Sequence, residues 1–133
     1  MKSVLSNKGF TLAELLLAAA ILVFAISGLA LLFIKVSLLN DANRNLSIVT
    51  SHSQFVMEKI KNANFSGLST DITNGVWNYN AAAITAAGLT ALNSETITTV
   101  ASGTSLLDVT ITVGWKDRTS KNRSFVLETL ITG

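Results

Sequence analysis

Side chains able to do chemistry are few in this 133-residue chain. There is one histidine, no cysteine and no proline. Among the carboxylates, Glu14 stands apart as the only charge in the apolar run over residues 10–34. A carboxylate within an apolar span costs on the order of 2.5–3.5 kcal/mol on insertion scales, so it needs a partner or a use. Two uses fit its position. Four residues into the run, it can sit at a membrane interface and reach water. Alternatively, it can pair with a positive group. A cut after Gly9 would create such a group, the α-amino of Phe10, close by. Each charge would then offset the cost of burying the other.

The remaining candidates lack companions. His52, within Ser51-His52-Ser53-Gln54, has no His, Cys or carboxylate cluster around it and reads as a solvated helix residue. Asp71, Asp108 and Asp117 form no calcium-ligand loop. The chain has no nucleophile–base pair, no glycine-rich phosphate cradle and no metal-ligand spacing. The expectation is therefore a non-enzyme with no catalytic residues, no cofactor and no metal. Lys116, Arg118, Lys121 and Arg123 make one segment basic, with Asp117 among them. It reads as a solvated hairpin loop. The net charge of +2 is small and dispersed, so nucleic acid is not an expected partner. Trp77 reads as a scaffold aromatic, and Glu58 and Lys61 as a minor surface pair.

The elements that carry these residues follow from the apolar pattern. Residues 10–34 form about 25 nearly uninterrupted apolar positions, enough to cross a hydrocarbon core of roughly 30 Å as a helix. Before them stands MKSVLSNKG, with Lys2 and Lys8 as its only charges. Positive charge there keeps that end on the cytoplasmic side. Without these nine residues the chain carries 8 basic and 8 acidic side chains. Ala18, Ala19 and Ala20 imitate a secretory cleavage site, but the run continues past them to Ile34.

Helical spacing then persists through Leu39, Ala42, Leu46, Val49, Ser53, Val56, Ile60 and Ala63. A helix over residues 10–62 is predicted, about 53 residues or roughly 80 Å, with its second half amphipathic. Residues 63–133 read as a small β-rich domain that covers this stripe. Turns are marked by Ser66-Gly67, Asn74-Gly75 and Ser102-Gly103. Residues 76–79 fit a short strand or aromatic anchor, and residues 95–100 a strand. Residues 81–92 fit either a short helix or a loop. The clearest pattern is the alternation of residues 107–115, which puts Val109, Ile111, Val113 and Trp115 on one face. A polar loop over 116–122 and a second strand over 125–131 complete an antiparallel hairpin. The fold class is α+β: a long N-terminal helix packed against a small antiparallel sheet.

The run Lys8-Gly9-Phe10-Thr11-Leu12-Ala13-Glu14 resembles the prepilin cleavage and methylation motif shared by type IV pilins, type II secretion pseudopilins and competence pseudopilins. Ala13 departs from it, since the family usually has a larger aliphatic residue there. The resemblance covers residues 1–40. It implies a leader over residues 1–9, cutting between Gly9 and Phe10 by a prepilin peptidase, and methylation of the new amino group on Phe10. Glycine at the cut lets a protease approach the backbone closely.

The implied protein is a single-pass inner-membrane precursor with a cytoplasmic amino terminus, assembled by an inner-membrane platform with other pilin or pseudopilin subunits into a periplasmic or cell-surface filament. Glu14 of one subunit would pair with the amino terminus of its neighbour and set the register. Many major pilins kink their helix with a proline where this chain has Leu31, with Gly28 nearby. That favours a minor pilin or minor pseudopilin. The alternatives are a competence pseudopilin for DNA uptake, or an anchored exported domain that joins no filament.

Overall fold

A computed structural model describes residues 9–132. The leader reading therefore lies outside the described residues, except for Gly9. Seven elements follow in chain order: α1 (Leu12–Lys61), α2 (Phe65–Thr73), β1 (Tyr79–Asn80), α3 (Ala81–Ala86), β2 (Thr96–Ser102), β3 (Leu106–Lys116) and β4 (Asn122–Thr132). The chain divides into two compact units after Leu39.

The first unit is the apolar part of α1. Its side chains have no cover: Phe24 and Phe33 are 84% and 76% exposed, and Leu12, Leu15, Ile21, Leu29 and Leu31 are exposed in the same way. The helix is long and apolar enough to cross a membrane. Ser27 returns its hydroxyl to the Val23 carbonyl at 2.8 Å, which satisfies its polar group locally. A Cβ at Gly28 would meet nothing within 4 Å.

The second unit is the α+β domain. A four-stranded antiparallel meander in the order β1-β2-β3-β4 packs against the later turns of α1. β3 pairs with β4 over its full length, from Leu106↔Thr132 to Lys116↔Asn122, and with β2 from Ser102↔Asp108 to Thr96↔Gly114. Strict alternation on β3 buries Leu107, Val109, Ile111, Val113 and Trp115. From α1 this face receives Val49, Val56, Met57 and Ile60, with Leu68 and Ile72 of α2 and Ile84 of α3 completing the core. The hairpin expected from the alternation is present, each strand slightly longer than predicted.

Three expectations change. The buried stripe of α1 starts only at Val49 and passes through His52, Ser53, Val56, Met57 and Ile60; Leu39, Ala42 and Leu46 are exposed. Ser66-Gly67 is no turn but the first turn of α2. Asn64 caps that helix, its side chain accepting from the Ser66 amide at 3.1 Å, and the burial of Leu68 and Ile72 outweighs the helix cost of Gly67. Residues 81–92 are neither wholly helix nor wholly loop: α3 ends at Ala86 and an irregular segment follows. The other two turn signals hold. Gly75 and Gly103 have φ of +74° and +98°, where a side chain is disfavoured. At Gly103 a Cβ would also fall 2.1 Å from the Leu106 carbonyl oxygen.

Candidate functional site at the start of the long helix

α1 begins at Leu12, so Gly9, Phe10 and Thr11 precede it. Thr11 is its cap. The Glu14 amide donates to Thr11 Oγ1 at 3.3 Å. In return Glu14 Oε2 accepts from the Thr11 amide and from the Thr11 hydroxyl, each at 2.9 Å. This is a capping box, in which two otherwise unpaired donors are satisfied reciprocally and a carboxylate faces the positive end of the helix dipole. The signal lay in the sequence as Thr-x-x-Glu ahead of an apolar run, and the two uses first considered for Glu14 both missed it. The box leaves the Glu14 carboxylate bonded to the peptide N–H that directly follows Phe10. An α-amino group on Phe10 would be three bonds from that nitrogen. Phe10 itself is 88% exposed. A Cβ at Gly9 would meet nothing within 4 Å, so nothing among the described residues requires glycine there.

His52 is not solvated. It is 3% exposed, and its Nδ1 lies 2.7 Å from Glu95 Oε1, with Glu95 itself 1% exposed. The other carboxylate oxygen, Oε2, accepts from the Leu92 amide at 2.7 Å. The partner comes from 43 positions away, so no local pattern could reveal it. The pair ties the segment after α3 to α1. Among the described residues no group of three or more His, Cys, Asp or Glu could hold a metal ion, and Asp71, Asp108 and Asp117 lie apart.

The basic β3–β4 loop is built around Asp117. Its Oδ1 accepts from the Thr119 hydroxyl (2.7 Å), the Thr119 amide (2.8 Å) and the Lys121 amide (3.0 Å). Its Oδ2 accepts from Arg123 Nε at 2.9 Å. These donors, the Thr119 hydroxyl and the Lys121 amide foremost, hold the Asp117 carboxyl far below its ordinary value. Arg118 reaches instead to Asp41 of α1 at 3.1 Å. A groove of about 580 Å³ opens beside this pair, lined by Arg44, Ile48, Leu92, Asn93 and Lys116 among others.

Trp77 packs against the core as a half-buried scaffold residue, and its buried Nε1 has no hydrogen-bond partner. Among the described residues Glu58 and Lys61 form no ion pair with each other. Lys59 stands over the Phe55 ring, 4.6 Å from its centroid.

Compared with protein-family models, with curated proteins and with solved structures, the chain gives no match.

Proposed function

We propose that this chain is the precursor of a filament subunit of the type IV pilin-like class, a minor pilin or minor pseudopilin, and not an enzyme. One observation carries the reading: the motif Lys8-Gly9-Phe10-Thr11-Leu12-Ala13-Glu14 runs into the apolar part of α1, which the chain leaves uncovered. Apolar surface of that extent needs lipid or other helices around it. Prepilin peptidase cuts between Gly9 and Phe10 on the cytoplasmic face of the inner membrane and methylates Phe10. An assembly platform then draws the helix out of the bilayer, and lipid contacts are exchanged for contacts with neighbouring pilin or pseudopilin helices. The α+β domain stays outside as the filament surface.

The capping box supports the role given to Glu14. It holds the carboxylate at the helix start, where Glu14 of an incoming subunit would meet the amino terminus of its neighbour. The open space around Gly9 agrees with a requirement set by a protease and not by the fold.

The test is the intact mass and N-terminal sequence of the membrane form, made with and without a prepilin peptidase. A peptidase-dependent start at Phe10 is expected. A start at Met1 in both samples, or a cut after Ala20, refutes the reading.

A further inference from the structure

Charge in the α+β domain is unevenly placed. Arg44, Lys116, Arg118, Lys121 and Arg123 gather at the β3–β4 loop and the groove beside it, against Asp41 and Asp117. At the other end of β3, Asp108 and Glu128 line a second, smaller groove. The negative members of the basic group are already engaged. Asp117 is folded into its own loop by four donors, and Asp41 is paired with Arg118. Arg44, Lys116 and Lys121 form no ion pair among the described residues, which leaves their charge available to a partner. The basic end is also the end joined to the apolar segment. Asp41, which Arg118 contacts, follows Ile34 by seven residues in the sequence. Seven residues rise about 10 Å as a helix and reach at most about 25 Å when extended. If residues 10–34 occupy a bilayer, this tether of at most about 25 Å lets the loop come into contact with the lipid headgroups, where exposed charges act across less than a Debye length.

We infer that the β3–β4 loop, with Arg44 and Lys116, docks on anionic phospholipid headgroups while the subunit is in the membrane. This rests on the membrane reading of residues 10–34. The partner is a negatively charged lipid surface: the free charges are spread along a loop and an open groove instead of converging on one point, as a bound anion would require. Each basic side chain near such a surface strengthens attachment roughly fivefold. The loop thereby fixes how the domain stands on the bilayer before assembly, and leaving the membrane breaks that attachment.

The chain has no cysteine, so a single fluorophore can be placed on a Thr119→Cys variant at the loop, or on a Ser102→Cys variant at the opposite end of β3. The full chain is reconstituted in vesicles of phosphatidylcholine alone, or mixed with phosphatidylglycerol, each with a trace of lipid carrying a headgroup quencher. The expected result is several-fold stronger quenching at Thr119→Cys in the mixed vesicles. It should disappear in high salt and in an Arg44→Glu, Lys116→Glu, Lys121→Glu background, with Ser102→Cys unquenched throughout. Equal quenching in the two lipids, or quenching that survives charge reversal, overturns the inference. So does a signal that depends on protein density, which would mark contact between copies, or one that inorganic phosphate displaces better than chloride of equal ionic strength. Flotation of the protein with the vesicles is scored separately. A chain that floats with neither lipid overturns the membrane reading itself, while one that floats but shows no lipid-dependent quenching overturns only the docking.

Discussion

His52 Nδ1 and Glu95 Oε1 lie 2.7 Å apart between residues almost wholly withdrawn from water. Breaking a buried polar pair by removing one partner leaves the other unsatisfied, which costs more than the pair itself contributes. Glu95→Ala and His52→Ala should each destabilise the full chain by on the order of 3 kcal/mol. The double variant should lose much less than the sum of the two. Chemical denaturation in detergent, followed by near-ultraviolet circular dichroism, gives all four corners of the cycle. Additive losses would mean that the two side chains act independently.

Packing separates the two parts of α1. Ile60 and Ile111 are fully buried in the domain core, so Ile60→Ala or Ile111→Ala should cost about 2–5 kcal/mol. Leu22→Ala, on the uncovered part, should leave the unfolding of the domain unchanged within about 0.5 kcal/mol. A domain destabilised by Leu22→Ala would show that the apolar segment takes part in the core.

The Asp117 loop has a defined acid limit. The folded carboxyl is held below its ordinary value of 3.8, so the loop favours the ionised form. Its contribution is fully present above that value and is lost as the pH falls below it toward the folded value. Amide resonances of Thr119 and Lys121 should hold still from neutral pH down to about pH 4 and move only below it. Asp117→Asn should remove this acid transition, and a loop that already reorganises near pH 6 would contradict the assignment.

Glu14 helps cap the helix, and the charge-pairing role proposed for it can be separated from that by one pair of variants. Glu14→Gln keeps an oxygen acceptor for the Thr11 amide and hydroxyl but loses the charge; Glu14→Ala loses both. If the charge pairs with the Phe10 amino group, both variants should insert and be cleaved normally, and both should incorporate poorly into filaments. Normal incorporation of Glu14→Gln with failure of Glu14→Ala would give the role to the helix cap. Immunoblotting of sheared filaments against the membrane pool distinguishes the outcomes.

Periodic features were legible without coordinates. The apolar run, the alternation of β3 and the two turns at Gly75 and Gly103 each need only near neighbours in the chain. What escaped was long-range or reciprocal. His52 looks solvated in the sequence because its partner Glu95 stands 43 positions away, just ahead of β2, and that segment is held by single contacts such as the Lys116 amide on the Asn93 carbonyl. The helical spacing on α1 extends beyond the buried stripe, which starts at Val49, because spacing shows which positions share a face but not where the covering domain begins. Ser66-Gly67 misled because a side-chain cap from Asn64 and two buried aliphatics outweigh local turn preference. The capping box at Thr11 and Glu14 is legible as Thr-x-x-Glu, and it gives the carboxylate a local use that requires neither interface water nor an α-amino group on Phe10.

The strand order of the sheet follows the chain order. No strand must be threaded between two already paired, so each can add to a finished edge as the polypeptide is delivered from its amino end. The helix face from Val49 to Ile60 is made first, and β3, which covers much of it, arrives only after Leu106. Between those moments only Leu68, Ile72, Ile84 and Ile97 of the buried core are there to cover it. The interval is set by the rate at which about 45 further residues emerge.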